Sequence, residues 1–189
     1  MAMDTKTALL NVAEQAVRTR GFDGFSYADL AEAVGIRKAS IHYHFPTKAF
    51  LSASLMERYH AEIKAQCAKI AAENPTGAGR VLGLVALYRA ALGDGKTLCL
   101  CVSVTSSRES LSAEVMAKIN AFRAMMIDWL TQFYELGKAD GTIRAVSQTG
   151  QEARATLALL EGAHLAARAE EDIAVFDQAV ALLKARGQV

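Results

Sequence analysis

The feature that most constrains this chain is a helical spacing of apolar residues that runs almost from one end to the other. Apolar residues of the first stretch, 4–20, recur three or four positions apart and therefore share one face of a helix. These residues are Leu9, Leu10, Ala13, Ala16 and Val17. Glycine and proline interrupt the pattern at intervals and mark where helices end. The pattern predicts an all-α fold.

The breaks divide the chain into nine predicted helices. Their bounds are 4–20, 26–34, 37–44, 47–73, 78–92, 98–109, 111–138, 149–168 and 172–186. Residues 97–105 are open to a second interpretation, because Val102 and Val104 stand between small polar neighbours, as in a strand. We favour a buried helix there, with the strand as the alternative.

Composition excludes several classes of protein. With 189 residues, 52% of them hydrophobic and 22% charged, the chain can bury a core and is not disordered. No apolar run approaches the ~20 residues that a membrane-spanning helix needs. The first residues lack the basic start and apolar middle of a signal peptide. Three cysteines, an odd number, fit no disulfide framework, so we expect a cytoplasmic protein without membrane association.

Positive charge is concentrated in one short segment. The whole chain has a net charge of only +1, yet residues 33–48 contain no aspartate or glutamate. The basic residues of this segment are Arg37, Lys38 and Lys48, and its histidines are His42 and His44. Such a cluster in a nearly neutral protein favours one localised anionic partner. The alternative is a basic face that only contacts solvent.

The same segment lies in a helix-turn-helix pattern. A predicted helix at 26–34 is followed by Gly35 and a short helix at 37–44, which is the order of elements in that DNA-binding motif. Ser26 is placed to cap the first helix, with Asp29 as its acidic partner three residues later. The second helix would enter the major groove, while the first would lie across the DNA backbone.

Residues 35–48 read Gly-Ile-Arg-Lys-Ala-Ser-Ile-His-Tyr-His-Phe-Pro-Thr-Lys, which resembles the signature of TetR-type transcriptional repressors. The segments Gly21-Phe22 and Ser26-Tyr27-Ala28-Asp29-Leu30-Ala31 resemble the family at the corresponding places upstream. The remaining chain is similar only in length and helical layout. The resemblance implies a three-helix DNA-binding head at 1–48 on a helical body at 49–189 that binds a ligand and dimerises.

By resemblance, the chain is a ligand-gated repressor that binds a palindromic operator in double-stranded DNA as a homodimer. The DNA-binding residues that the resemblance and the residue chemistry together indicate are Ser26, Arg37, Lys38, Ser40, His42, Tyr43, His44 and Lys48. Among these, Tyr43 and Lys48 would hold phosphates. The sequence departs from the family pattern at Arg37, where serine or threonine is common, and at His42, where tyrosine or phenylalanine is common.

The body carries the candidate effector residues. The aromatic, thioether and thiol side chains singled out there are Tyr59, Tyr88, Cys99, Cys101, Phe122, Met126 and Trp129. A cysteine at a helix N-terminus is reactive when its thiol ionises easily, and some electrophile- or oxidant-responsive TetR-type regulators resemble the Cys99-Leu100-Cys101 arrangement. The effector is then a small molecule or a cysteine modification. The alternative for each residue is ordinary core packing.

The last two predicted helices are the candidate dimer interface. By resemblance they form a four-helix bundle with a second copy of the chain, and their alanine-rich faces permit close approach. The interface residues expected there are Leu159, Ala163, Val175, Ala179 and Leu182. The alternative is that these helices only close the core of their own subunit.

Motifs of enzymes are missing from the sequence. Gly95-Lys96-Thr97 lacks the upstream glycine and the preceding strand of a phosphate-binding loop, and no nucleophile elbow or zinc-binding HExxH occurs. We therefore expect no catalytic site, no metal and no cofactor. The second functional hypothesis is a helical ligand-binding or adaptor protein that does not bind DNA.

Overall fold

A computed structural model describes residues 4–144 and 146–186, and within these ranges every regular element is a helix. The α-helices are α1 (Thr5–Arg20), α2 (Tyr27–Val34), α3 (Lys38–His44), α4 (Lys48–Glu73), α5 (Gly77–Ala90), α6 (Leu100–Thr105), α7 (Ala113–Ala139), α8 (Thr149–Glu170), α9 (Ile173–Ala179) and α10 (Ala181–Arg186). A 3₁₀ helix at Arg108–Ser110 separates α6 from α7. The all-α prediction is confirmed. No helix of the described ranges has the length and apolar character that crossing a membrane requires.

Two predicted helices differ from those observed. The helix expected at 98–109 is limited to Leu100–Thr105, because the Thr105 hydroxyl donates to the carbonyl of Cys101 and the Ser106 hydroxyl to that of Ser103. Such side-chain bonds compete with the helical backbone for its carbonyls. The helix expected at 172–186 is divided into α9 and α10 at Val180, whose backbone leaves regular helical geometry.

One compact unit comprises the residues up to Ala61 together with Leu100–Phe122. It contains α1 to α3, the beginning of α4, α6 and the beginning of α7. Its fully buried side chains include Leu9, Val17, Leu30, Ile41 and Phe45. The hydroxyl of Ser103 on α6 donates to the carbonyl of Val17 on α1 at 2.6 Å. The division of function at residue 48 stays a prediction.

A second unit comprises Glu62–Cys99 and the residues from Arg123 onward. Here α5 crosses α7 at very close range, because a Cβ atom added to Gly77 would lie 2.1 Å from the backbone nitrogen of Gly137. The loop after α7 completes the crossing: the Asp140 carboxylate accepts from the backbone N–H of Gly77 at 2.8 Å. The Thr142 hydroxyl and then the Gly77 N–H, both donating to Asp140, lower its pKa.

Candidate nucleic-acid interface

The turn before α3 is set by two local devices. The Ser26 hydroxyl accepts from the backbone N–H of Asp29 at 3.3 Å, and the Asp29 carboxylate accepts from the backbone N–H of Ser26 at 2.6 Å. These bonds from Ser26 lower the pKa of Asp29. Gly35 then adopts a left-handed conformation with φ +73°, which ends α2 and turns the chain toward α3. The predicted capping box is present, so Ser26 has a structural role, and its DNA contact stays a prediction.

The apolar side of helix α3 packs into the core of the first unit. Ile41 and Phe45 are fully buried, and the Tyr27 hydroxyl donates to the carbonyl of Phe45 at 2.9 Å. Burial raises the pKa of Tyr27 to about 12, so this phenol stays protonated and keeps its donor. The hydrogen bond joins α2 to the end of α3 and limits movement between the two helices of the motif.

The opposite side of α3 is open to solvent and carries the predicted DNA-binding residues. Exposed side chains there belong to Arg37, Lys38, Ser40, His42 and Tyr43. Tyr43 is 84% exposed, and its ring meets that of His44 edge-on at 5.1 Å. The structure therefore places these residues on one short, firmly held helix, without an acidic side chain among them.

Lys48 has an internal contact that sequence reasoning missed. Its ammonium donates to the carbonyl of Phe25 at 2.9 Å and lies 4.7 Å and 4.3 Å from the ring centroids of Phe22 and Phe25. Burial lowers the pKa of Lys48, and the Asp23 carboxylate partly opposes that shift. Lys48 thus holds the start of α4 against the loop between α1 and α2. Because an ammonium has three donors, the bond to Phe25 still leaves donors for a DNA phosphate. That phosphate contact stays a prediction.

Arg58 is a second residue that sequence reasoning did not single out. Its guanidinium donates to the Asn11 side chain at 2.7 Å and to the Glu14 carboxylate at 2.6 Å. These two bonds tie α4 to α1 within the first unit. A lone arginine on a long helix gives no sequence signal for such a partner, because Asn11 and Glu14 lie more than forty residues upstream.

The candidate effector residues fall into the two units. In the first unit Tyr59 packs against Phe122 with ring centroids 5.2 Å apart, and Cys101 is fully buried in α6. The second unit contains the others, of which Tyr88, Cys99 and Met126 are buried and Trp129 is partly exposed. All of these positions fit core packing, and their role in binding an effector stays a prediction.

His164 joins two of those residues in the second unit. Its Nδ1 accepts from the backbone N–H of Cys99 at 3.1 Å, and its Nε2 lies 2.9 Å from the carbonyl oxygen of Tyr88. Because a carbonyl can only accept, Nε2 carries the ring proton. The ring also meets Tyr88 and Phe176 edge-on, at 5.3 Å and 5.6 Å. His164, which no sequence motif singled out, therefore fixes the backbone of Cys99.

The candidate dimer residues are only partly accessible. Leu182 is 71% exposed, and Leu159, Val175 and Ala179 are partly exposed. Ala163 is 3% exposed and packs inside its own unit, so its predicted place at an interface is not supported. The solvent-exposed face of α8 includes Gly162 and Leu165 instead of Ala163. Leu165 is 50% exposed.

Comparisons with known proteins agree with this geometry. Residues 9–55 match the tetR family of bacterial regulatory proteins. The HTH-type transcriptional repressor NemR of Escherichia coli (strain K12) is 25% identical over 187 residues, covering 96% of this chain and 92% of NemR. The crystal structure of a TetR-family transcriptional regulator from Agrobacterium tumefaciens has a TM-score of 0.91 and 29% identity, covering 97% of both chains.

A further structure shows the same fold with nucleic acid. The TetR-family regulator CifR, solved as a cysteine mutant in complex with double-strand operator DNA, has a TM-score of 0.78 and 23% identity, covering 100% of this chain and 98% of that one. The relatives are transcriptional regulators and not enzymes, and the hypothesis of an adaptor without DNA binding is set aside. The exposed helix α3, the match of residues 9–55 to the tetR family and the similarity along the whole chain to transcriptional regulators identify this protein as a DNA-binding transcriptional regulator with a TetR-type head.

Proposed function

We propose that this protein is a repressor that binds a palindromic operator as a homodimer and releases it when an effector acts on the body. Residues 1–48 are the DNA-binding domain in this proposal, and residues 49–189 bind the effector and dimerise. The observation that carries the proposal is the solvent-exposed side of α3, with Arg37, Lys38 and the 84% exposed Tyr43. A regulator of bacterial genes acts in the cytoplasm.

The chemistry of α3 suits base reading combined with phosphate contacts. Arginine and lysine make the commonest specific contact, to guanine, while serine serves either as donor or acceptor. The buried Ile41 and Phe45 keep this helix in a fixed orientation, which a reader of base edges needs. CifR, which has the same fold, is in complex with operator DNA, and this supports the corresponding surface here.

The expected result for the DNA-binding side of the proposal is a selective loss of operator affinity. Arg37→Ala and Lys38→Ala should each lower affinity by about 1–3 kcal/mol if the residue reads a base, or reduce the salt slope by about one if it holds a phosphate. Fluorescence anisotropy on a duplex selected by the protein from a random-sequence pool, over a range of salt, distinguishes the two results.

Lys6→Ala is the matched control, because Lys6 is an exposed lysine on α1 outside the motif. It should leave both affinity and salt slope unchanged. Equal losses in Lys6→Ala and in the α3 variants would contradict the assignment of α3. Failure of the wild-type protein to select any duplex would contradict DNA binding itself.

Cys99 is the proposed point of action for a thiol-modifying effector. It lies directly before α6, its side chain is 2% exposed, and its backbone N–H is held by His164. Alkylation converts the Cys99 thiol to a thioether. The thioether is larger than the buried thiol and cannot fit without displacing its neighbours. Cys67 is the comparison thiol for this test, because burial raises its pKa to about 12.

The expected result for this side of the proposal is that alkylation releases DNA. The Cys99 sulfur forms a bond to one carbon of the N-ethylmaleimide double bond, and the thiol proton is transferred to the other carbon. We expect operator affinity to fall about tenfold or more once mass spectrometry shows the adduct, in line with typical coupling between two sites. Cys99→Ser should resist this loss and Cys67→Ser should not. Unchanged affinity of protein alkylated at Cys99 would instead favour a reversibly bound small molecule.

A further inference from the structure

The His164 side chain on α8 is completely buried and joins three segments of the second unit. Its Nδ1 accepts from the backbone N–H of Cys99 at 3.1 Å, and its Nε2–H donates to the carbonyl of Tyr88 on α5 at 2.9 Å. We infer that His164 is the positioning residue through which an adduct on Cys99 displaces α8 and so changes the dimer. The inference rests on the proposed function and adds a route for its regulation.

The ring of His164 is fixed in place and follows the backbone of Cys99. Both ring nitrogens are hydrogen-bonded, and the ring meets those of Tyr88 and Phe176 edge-on at 5.3 Å and 5.6 Å. Cys99 precedes α6, so its N–H lies outside the hydrogen-bond ladder of that helix. Because a buried N–H without an acceptor is unfavourable, the bond to His164 resists separation. A shift of the Cys99 backbone therefore displaces the ring as well.

The segment that leads to Cys99 contacts α8 at a second place. A Cβ atom added to Gly95 would lie 3.2 Å from the carbonyl oxygen of Ala167, in the last turn of α8. It would lie 2.9 Å from the backbone nitrogen of Asp172, just beyond that helix. Residues 95–99 thus lie against α8 at both of their ends. In a close-packed interior this segment cannot shift without displacing the helix.

An adduct on Cys99 is expected to cause such a displacement. The Cys99 side chain is 2% exposed, so an added group takes up space that its neighbours occupy. His164 faces the core, whereas the next residue, Leu165, is 50% exposed on the face of α8 that is a candidate dimer surface. A rigid helix transmits a shift of its buried side to its exposed side. A dimer that is altered there no longer presents its two recognition helices at the spacing of a palindrome.

The test compares the loss of operator affinity on alkylation in the wild-type protein and in two variants of His164. N-ethylmaleimide is the probe, and mass spectrometry selects preparations with the adduct at Cys99 and at no other thiol. His164→Leu removes both hydrogen bonds and should reduce the loss from about tenfold to about twofold or less. His164→Gln keeps an acceptor and a donor and should retain the full loss. A residue with only a structural role would change stability without changing this loss.

Thr156→Val is the matched control, because Thr156 is also buried on α8 but bonds to another helix. Its hydroxyl lies 2.6 Å from that of Tyr134 on α7. Thr156 is about two helical turns from His164. The variant removes a buried polar contact of α8 and should keep the wild-type loss of affinity on alkylation. Equal losses in the wild-type, Thr156→Val and His164→Leu proteins would overturn the inference, while the proposed role of Cys99 would stand.

Hydrogen exchange of the wild-type protein tests the same route without a substitution at His164. Alkylation at Cys99 should speed the exchange of the backbone amides around His164, because a displaced helix loses protection. Operator release with unchanged exchange along α8 would overturn the inference, even if His164→Leu does not fold. Unchanged operator affinity of the wild-type protein alkylated at Cys99 would overturn the proposed role of Cys99 and this inference together.

Discussion

Replacing Leu165 and Leu182 by glutamate is expected to convert the proposed dimer to monomers and to weaken operator binding by about 10²–10⁴-fold. Leu165 is 50% exposed on α8 and Leu182 is 71% exposed on α10. Large apolar side chains exposed at this level on helices otherwise rich in alanine favour a partner surface. The exposed Gly162 on α8 allows close approach of a second helix.

The physical reason for the loss in DNA affinity is avidity. A dimer brings its second head to the second half of a palindrome at high effective concentration, and a monomer loses that advantage without losing any contact of α3. Sedimentation measures the oligomeric state of the double variant, and anisotropy on the selected duplex measures its affinity. Circular dichroism should show that its helices are retained.

Ala65→Glu with Ala72→Glu is the control for added charge. Both alanines are exposed on α4, and this variant adds the same two carboxylates away from α8 and α10. It should remain a dimer and bind DNA as the wild-type protein does. If the Leu165/Leu182 variant stays dimeric, the proposed interface is wrong; if it is monomeric and binds DNA equally well, the role of the dimer is wrong.

Gly77→Ala is expected to lower the free energy of unfolding by about 3 kcal/mol or more, at fixed protein concentration. The added Cβ would lie 2.1 Å from the backbone nitrogen of Gly137 and 2.5 Å from the carbonyl oxygen of Phe133. Both neighbours are backbone atoms of α7, so no side-chain rotation can relieve the overlap. The helices α5 and α7 must separate, which also breaks the bond from the Gly77 N–H to Asp140.

Gly150→Ala on α8 is the matched control, because nothing lies within 4 Å of its added Cβ. This substitution should leave stability unchanged or raise it by up to about 1 kcal/mol, since alanine loses less backbone entropy than glycine in a helix. Urea denaturation compares both variants with the wild-type protein. A Gly77→Ala protein as stable as Gly150→Ala would show that the close crossing of α5 and α7 is wrong.

Most of the fold follows from local signals. Apolar spacing predicted the long helices, and the capping box of Ser26 with Asp29 marked the start of α2 correctly. Gly21 and Gly35 have positive φ angles and end α1 and α2 where the sequence predicted that these helices stop. The shortened α6 escaped prediction, because hydroxyl groups that end a helix also occur inside helices.

The candidate site also has parts that the sequence predicted and parts that it did not. The exposed side of α3 was predictable, because the basic cluster and the order of the motif lie within one short segment. The burial of Ala163 in its own unit leaves its predicted interface role without support. A stripe of small residues shows that one face of α8 packs closely, but a step of one position decides whether that face meets the subunit's own core or a partner.

The sequence alone determined most of the helices, the capping box of α2 and the basic side of α3, because each depends on residues within a few positions of one another. The tertiary structure alone decided that Lys48 holds the carbonyl of Phe25, 23 residues earlier, and that His164 holds the backbone of Cys99, 65 residues earlier. Such contacts depend on how helices pack against one another. Helical spacing alone would allow many different side chains to make them. Packing selects one partner from among them, and only the folded chain shows which.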